Sequence, residues 1–345
     1  MVRQSRMIDI TDSLAWLARR DGSVVLGHGP FVSSAQCPAE GVAFYVQDFG
    51  LQDRLPWKIP SRVERSDTAT LARRFGGGPV FHAQWDPLDA AAFAGVFQEV
   101  MVAIHGGFFE KTVPIVTETG RADAVPGVAM LAAMCRQGAP LQSYGWIGKQ
   151  SGFAGATPEL FVAMQEGKLE TMALAGTARS EDREVFAVDE KEIREHEYVA
   201  QTLVSKLLNL GSLERRNREI LDLGPIVHFL TAIHVDLHAP MAPEDLVQRL
   251  HPTPALGPLP RTEGTMECLS EWRHRLGCPA EFGAPFGVWD EGRFDAIVAI
   301  RGLWWDGTRL KLPAGCGIIE ASRLVNEWRE LRLKREAVKR SLAYP

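Results

Sequence analysis

The chain has 345 residues, of which 46% are hydrophobic and 23% are charged, and its formal net charge is −5. This balance predicts a sizeable core and argues against a nucleic-acid-binding protein, because the short basic runs are mixed with acidic residues. No apolar run approaches the ~18 residues that a membrane-spanning helix needs, and Asp9 and Asp12 interrupt any leader pattern. The five scattered cysteines predict reduced thiols, so we expect a cytoplasmic protein without a membrane segment.

The first part of the chain predicts strands and loops before the first long helix. Residues 1–90 are rich in Gly, Pro and short apolar runs. The triplet at 76–78 predicts a flexible turn rather than a phosphate loop, because no Gly-Lys-Ser/Thr follows it. Helical spacing of apolar residues predicts a helix over 91–105. The β-branched run 111–117 predicts a strand, which Pro114 places at an edge or a bulge.

The middle of the chain alternates predicted helices and strands. A helix is predicted over 127–137, followed by strands near 144–148 and 160–164. The segment 170–178 predicts a strand that breaks at Gly176. The remaining predicted elements are a long helix ending near residue 210, a strand over 225–239, a helix over 243–250 stopped by His251-Pro252, a hairpin of 297–304 and 308–314 about Asp306-Gly307, and a helix over 324–342.

Two Glu-x-x-Glu pairs are the sharpest chemical feature of these elements. Glu192 and Glu195 share one face of the long helix, and Glu327 and Glu330 share one face of the last helix with Lys334. If the two faces meet, four carboxylates crowd one place, which is tolerable around a cation. Oxygen ligands without His or Cys favour Mg²⁺. The alternative is that both pairs are solvated helix faces.

Six motifs in a fixed order carry a family resemblance. They are Ala173-Leu174-Ala175-Gly176-Thr177-Ala178-Arg179, Glu195-His196-Glu197-Tyr198-Val199, Leu250 to Gly257 (LHPTPALG), Ala299-Ile300-Arg301, Ala314-Gly315-Cys316-Gly317-Ile318, and Glu327-Trp328-x-Glu330-x-x-x-Lys334. This set resembles the chorismate-utilising enzymes, which include anthranilate, aminodeoxychorismate, isochorismate and salicylate synthases. The resemblance covers residues 95–345, whereas residues 1–90 do not take part in it.

The resemblance implies a fold and a domain organisation. The expected fold class is α/β (α+β), with antiparallel sheets packed as a sandwich and with flanking helices. Residues 1–345 are expected to form a single chorismate-binding domain, in which 1–90 is a divergent N-terminal part and 95–345 is the catalytic core. A monomer or a homodimer is the expected assembly.

The resemblance also implies two catalytic residues. Family members that add water carry Lys at the position of Lys111, whereas those that add ammonia carry Gln there. Lys111 is therefore expected to be the base that activates water, and no glutaminase subunit is expected. Glu159, in Thr157-Pro158-Glu159, matches the family's general acid, because a carboxyl that an apolar setting keeps protonated can donate to a leaving hydroxyl. Without the resemblance, both residues are as well explained as surface side chains.

The remaining site residues are expected to hold the substrate and the metal ion. Arg301 can grip a carboxylate in a bidentate way, and a backbone nest can complete the site. Substrate contacts are expected from Gly176, Thr177, His251, Arg301, Gly315, Cys316, Gly317 and Lys334. Direct Mg²⁺ ligands are expected to be Glu195 and Glu330, with Glu192 and Glu327 acting through water. His251 is nearly as well explained as a structural residue. A metal site at His228, His234 and His238 is disfavoured, because no carboxylate or cysteine is spaced with them.

Several positions depart from the family pattern and leave the product open. They are Phe282 in place of Tyr, Gly302 after Arg301, Cys316 in place of Ala, Pro258 in place of Gly, and Pro114-Ile115-Val116 after the lysine. The expected reaction is that of an isochorismate synthase serving siderophore or menaquinone biosynthesis. The alternatives are a salicylate synthase, which also eliminates pyruvate, and a non-catalytic chorismate-binding homologue.

Overall fold

Antiparallel strands dominate the computed structural model, which describes residues 13–77 and 81–342. The predictions that fell on Asp9, Asp12 and Gly78 lie outside these residues. The strands of the described part are β1 (Leu14–Ala18), β2 (Ser23–Ser34), β3 (Val42–Val46), β4 (Trp57–Asp67), β5 (Ala83–Trp85), β6 (Lys111–Thr112), β7 (Ile115–Ala122), β8 (Gln142–Ile147), β9 (Ser151–Thr157), β10 (Leu160–Gln165), β11 (Lys168–Arg179), β12 (Gly211–Arg215), β13 (Glu219–Asp222), β14 (Ile226–Leu237), β15 (Pro285–Asp290), β16 (Arg293–Val298), β17 (Gly302–Asp306), β18 (Arg309–Gly315) and β19 (Ile318–Ile319).

Helices flank these strands. They are α1 (Thr68–Phe75), α2 (Ala90–His105), α3 (Gly127–Cys135), α4 (Arg183–Phe186), α5 (Glu190–Leu207), α6 (Pro243–Leu250), α7 (Glu263–Arg275) and α8 (Leu324–Leu342), with a 3₁₀ turn at Ser180–Asp182. Asp189 caps α5, because its carboxylate accepts a hydrogen bond from the Glu192 amide. Within the described segments, no helix is long and apolar enough to cross a membrane.

The strands of one large sheet face each other across a shared core. All strands except β6 and β19 hydrogen-bond into this sheet, and every pairing is antiparallel. Strands that are not neighbours in the sheet meet face to face: Tyr144 on β8 and Phe153 on β9 lie 5.8 and 5.7 Å, between ring centroids, from Phe286 on β15. The expected antiparallel sandwich with flanking helices is thereby confirmed.

The predicted elements agree best with the structure where the helical period is strong. Helices α2, α6 and α8 have almost the predicted bounds. The strand predicted over 111–117, at an edge or a bulge, instead divides into β6 and β7 around Val113-Pro114, because proline cannot donate to a strand ladder. The strand β11 does not end at Gly176, as predicted, but continues to Arg179 through a bulge between Ala175 and Thr177. Strand β9 and helix α1 were not predicted.

Candidate active site

An internal cavity lies where several elements end, between the sheet and helices α5 and α8. Its volume is about 60 Å³. The polar residues on its wall include Glu159, Gly176, Thr177, Glu195, His228, Arg301, Gly315, Gly317 and Lys334. Eight of these nine were predicted to take part in catalysis or in binding substrate or metal, and His228 is the exception; Gly176 lies at the bulge of β11. The sequence motifs therefore converge on one place in the fold.

Lys111 is fully buried beside this cavity. The Lys111 backbone, in β6, is held in place by a hydrogen bond that the Leu259 amide donates to the Lys111 carbonyl at 2.8 Å. The side chain is 0% exposed, and its Nζ lies 3.2 Å from Oε1 of Glu195, which does line the cavity. A Cβ atom at Gly317 would lie 2.8 Å from the Lys111 Cε. Glycine at that position therefore leaves the space through which the lysine reaches the site.

Glu159 presents its carboxyl to the same cavity from the turn between β9 and β10. The turn is fixed by a hydrogen bond from the Glu159 amide to the Thr157 hydroxyl at 3.2 Å. Burial raises the pKa of Glu159 to about 7, although Lys111, Lys334 and Arg301 act in the opposite direction. A carboxyl with that pKa is half protonated near neutral pH, so it can donate a proton to a leaving group.

His228 orients Arg301 and the bulge at Gly176 at the same time. Its Nδ1 lies 2.8 Å from the Gly176 carbonyl oxygen, which must accept, so Nδ1 carries the hydrogen. Its Nε2 then accepts from Nη2 of Arg301 at 2.7 Å. Burial and the Arg301 charge hold the pKa of His228 well below its usual range, which keeps the ring neutral. Burial also lowers the pKa of Arg301, to about 10, so the guanidinium remains a cation facing the cavity.

The glycine-rich bend after β18 forms the opposite wall together with Lys334. Gly315 and Gly317 line the cavity, and the Lys334 ammonium donates to the Gly315 carbonyl at 2.8 Å. The same ammonium lies 2.6 Å from Oε1 of Glu330. Cys316, predicted to contact substrate, is fully buried and is not part of the wall, and burial raises the pKa of its thiol.

The four predicted metal ligands meet at the junction of α5 and α8. Glu195 lines the inner cavity, whereas Glu192, Glu327 and Glu330 line a second, open cleft of about 800 Å³. Lys191, which no prediction included, lies between them. Its Nζ is 2.9 Å from Glu192 Oε1, 2.9 Å from Glu195 Oε2 and 3.3 Å from Glu327 Oε1.

The pKa values of these glutamates reflect their burial and the charges around them. Burial and the neighbouring carboxylates raise the pKa of Glu192 to about 8 and that of Glu327 to about 7, against the effect of Lys191. Burial also opposes the ionisation of Glu195. The Lys191 and Lys111 charges outweigh that effect and lower the pKa of Glu195 to about 2. Two of the four acids thus retain protons near neutral pH, because the charge around them is not fully balanced.

The donor set suits the divalent cation that the sequence implies. All four side chains offer carboxylate oxygens, the ligands that Mg²⁺ prefers. Oε2 of Glu327, a residue 1% exposed, has no hydrogen-bond partner within the described chain. A cation would supply that partner and balance the charge. Residues 13–77 and 81–342 contain no group of three acidic, His or Cys side chains already arranged around a metal position, and around Lys191 the carboxylates are arranged about an ammonium instead.

His251 is placed outside the cavity. Its Nε2 lies 2.8 Å from the Phe49 carbonyl oxygen, and its ring packs edge-on against Phe49 and Phe161. Burial lowers its pKa to about 3, so the ring is neutral and donates to that carbonyl. The structural explanation of this residue, which the sequence left open, is therefore the one that the geometry favours.

Comparison with known families agrees with the resemblance that the sequence motifs indicate. The model of the family described as "Chorismate binding enzyme" matches residues 79–343. Because that range covers most of the chain, the protein belongs to the chorismate-binding enzyme family. The match begins after α1, so it leaves the first strands outside, as the sequence motifs also do.

Individual relatives within this family are isochorismate synthases. The chain is 29% identical over 290 residues to "Salicylate biosynthesis isochorismate synthase" of Pseudomonas aeruginosa, with 79% of this chain and 59% of the relative covered. It is 29% identical over 191 residues to the isochorismate synthase MenF of Haemophilus influenzae, with 53% and 44% covered. The chain thus spans about half the length of the curated relatives it matches. The solved MenF of Escherichia coli, a menaquinone-specific isochorismate synthase, shares the fold with a TM-score of 0.80 at 18% identity, over 99% of this chain and 92% of that one.

Proposed function

We propose that this protein is an isochorismate synthase, which converts chorismate to isochorismate by adding water at C2 and releasing the hydroxyl of C4. The observation that carries the proposal is that Glu159 and Arg301 line one cavity, and that the buried Lys111 lies beside it with its Nζ 3.2 Å from Oε1 of Glu195, which lines the same cavity. The relatives described above support the substrate, because both curated relatives carry the name isochorismate synthase. Lys111 favours water over ammonia, so the enzyme needs no ammonia-donating partner.

The roles proposed for the residues are those that the family resemblance implies. Lys111, once its ammonium has given up a proton, removes a proton from the attacking water while the water oxygen bonds to C2. The ring double bond shifts, the C4–O bond breaks, and Glu159 protonates the departing hydroxyl, which leaves as water. One water enters and one leaves, so the product is an isomer of the substrate. General acid and base catalysis of this kind contributes about 10²–10⁴-fold each.

Chorismate carries two carboxylates, and the cavity wall offers a partner for each. Arg301, held by His228, and the backbone of Gly315 and Gly317 suit the enolpyruvyl carboxylate. Glu195 and Glu330, assisted by Glu192 and Glu327, would hold Mg²⁺. Bound Mg²⁺ would neutralise the ring carboxylate and orient the ring for attack. Lys334 adds positive charge on the same side.

The test is one incubation with chorismate and MgCl₂, read by chromatography for isochorismate, salicylate and pyruvate. We expect isochorismate from the wild-type protein. Lys111→Ala and Glu159→Gln should each lower kcat by about 10²-fold or more and leave chorismate binding, measured by calorimetry, nearly unchanged. Salicylate with pyruvate would identify a salicylate synthase. Chorismate binding without turnover would identify a non-catalytic homologue, and wild-type rates in Lys111→Ala would contradict the proposed mechanism.

A further inference from the structure

A lysine ammonium lies in the middle of the carboxylates that would hold Mg²⁺. Lys191 Nζ approaches oxygens of Glu192, Glu195 and Glu327 at 2.9, 2.9 and 3.3 Å. These three oxygens come from two different helices, α5 and α8, so the ammonium joins the two elements. A divalent cation bound by the same oxygens would lie on the same side of each carboxylate, within reach of the place that Nζ occupies.

Each of the four acids of the cluster already contacts a lysine ammonium. Lys111 lies against the other oxygen of Glu195 at 3.2 Å, and Lys334 lies against Glu330 at 2.6 Å. Lys191 contacts one oxygen each of Glu192, Glu195 and Glu327. A doubly charged ion added next to the Lys191 ammonium would experience strong like-charge repulsion at low dielectric, while competing for the same oxygen lone pairs. The ion and the ammonium therefore cannot share the site.

Lys191 lies where its ammonium can move out of the carboxylate cluster. It is the second residue of α5, and its side chain is a flexible four-carbon stem. Lys191 also lines the open cleft of about 800 Å³, whose rim carries the exposed carboxylates of Glu181 and Asp182. A rotation about the side-chain bonds would move the ammonium from the cluster into this open cleft. No backbone element of the described chain needs to unfold for that motion.

We propose that Lys191 is an internal counter-ion, which occupies the cation position of the metal-free protein and moves into the cleft when Mg²⁺ binds. This inference rests on the proposed Mg²⁺-dependent function. The ammonium holds α5 and α8 together when no metal is present, because it balances acids that would otherwise repel. It also weakens Mg²⁺ binding, because the ion must displace it. The affinity for Mg²⁺ is thus set by a residue that is not a ligand.

The first test compares Mg²⁺ binding by calorimetry in three proteins. Lys191→Met removes the competitor and keeps a similar apolar stem, so we expect the dissociation constant for Mg²⁺ to fall about tenfold. Lys206→Met is the matched control, because Lys206 lies on the same helix and its ammonium donates to the Arg249 carbonyl at 2.9 Å rather than to a carboxylate. The Mg²⁺ affinity of this control should equal that of the wild type. In EDTA, Lys191→Met should melt about 2–4 °C below the wild type, since the acids then lack their cation.

The second test uses the wild-type protein, so it does not depend on the folding of a variant. The lysines are acetylated with acetic anhydride in EDTA or in saturating MgCl₂, and each site is quantified by mass spectrometry. We expect Mg²⁺ to increase acetylation of Lys191 several-fold and to leave the exposed Lys149 and Lys168 unchanged.

The outcomes separate this inference from the function on which it rests. Wild-type Mg²⁺ binding together with an unchanged dissociation constant in Lys191→Met would overturn the counter-ion role and leave the proposed function standing. If Mg²⁺ binds to the wild type but does not change the acetylation of Lys191, the counter-ion role is overturned and the proposed function still stands. If neither the wild type nor Lys191→Met binds Mg²⁺, both the inference and the Mg²⁺ requirement fail.

Discussion

Two buried glutamates of the site show how their neighbours decide their protonation. Glu159 and Glu195 both lose nearly all contact with water, at 5% exposure each. Glu195 lies between the ammonium groups of Lys191 and Lys111, which lower its pKa to about 2 against the effect of burial. Glu159 has no cation in direct contact within the described chain, so burial prevails and its pKa rises to about 7. The same side chain is therefore ionised in one place and half protonated near neutral pH in the other.

The raised pKa of Glu159 predicts the alkaline limb of the pH profile. Glu159 must carry its proton to release the C4 hydroxyl, so activity is present below its pKa and is lost as the pH rises through it. We expect kcat/KM to decline above about pH 7, approaching a tenfold loss per pH unit. The measurement is kcat/KM for chorismate at saturating Mg²⁺ across that range.

The control for this prediction is the isosteric variant Glu159→Gln, which cannot donate a proton. Its residual activity should lack the alkaline limb near pH 7. A wild-type profile that stays flat between about pH 6 and pH 9 would contradict the role of Glu159 as the acid.

Single residues were predictable where a motif marked them and were missed where only the fold brings them in. Arg301 lies in one of the ordered motifs, and Lys111 and Glu159 follow from the family resemblance that those motifs carry. His228 has no such signal, since its role depends on the pairing of β14 with β11, which places it beside Gly176. Lys191 lies four residues before Glu195, and that spacing predicts an ion pair on one helix. Its contact with Glu327 required the packing of α8, which sequence spacing does not contain.

At the scale of elements, the bend between β18 and β19 is the tightest point of the site. A Cβ atom at Gly317 would lie 2.0 Å from Glu195 Oε1 and 2.8 Å from the Lys111 Cε. Both side chains are buried and ion-paired, so neither can move aside without breaking that pair. Gly317→Ala should therefore lower kcat by about 10²-fold and the free energy of unfolding by about 1–3 kcal/mol. Turnover assays and thermal unfolding measure the two effects.

Gly95→Ala is the matched control for the bend. Gly95 lies on α2, and a Cβ atom there would meet nothing within 4 Å. The substitution should leave kcat unchanged and raise the free energy of unfolding slightly, because alanine favours the helix by about 1 kcal/mol over glycine. If Gly317→Ala behaves like this control, the close approach at the bend does not constrain the catalytic lysine.

Helices were easier to predict than strands for a physical reason. The helix α8 matches the prediction because its apolar and charged residues recur at the helical period over nineteen residues. Apart from Phe153, strand β9 consists of small residues, and it is buried on both faces, so it shows no alternation of polar and apolar residues. The irregularity at Pro114 was predictable because proline cannot donate to a strand ladder. At Gly176 the backbone has a positive φ and forms a bulge, and β11 pairs with β14 on both sides of it. The order of the residues alone does not reveal this bulge.

At the scale of the whole molecule, the N-terminal strands belong to the sheet that carries the site. Strand β1 pairs with β8, and β3 pairs with β15, so strands from the first part of the chain hydrogen-bond directly to strands of the family-matching part. Side chains of β1 alternate between two cores: Leu17 faces the one that also contains Tyr144 and Phe286, and Trp16 faces the other. The motifs could not predict this, because they all lie after residue 95.

Trp16 offers a direct test of whether the two parts of the chain unfold together. Its ring is 0% exposed and lies against Gly145 of β8, where an added Cβ atom would approach within 2.2 Å, and its Nε1 donates to the Ser143 hydroxyl at 2.7 Å. Trp16→Ala should lower the free energy of unfolding by about 3–5 kcal/mol through the cavity it leaves. If the sheet is one cooperative unit, calorimetry should show a single transition at a lower temperature, and chorismate turnover should be lost at that same temperature. The control Val32→Ala, at a side chain that is 66% exposed on β2, should leave the transition in place. Two separate transitions in Trp16→Ala, with turnover surviving the first, would show instead that the catalytic part folds without its N-terminal strands.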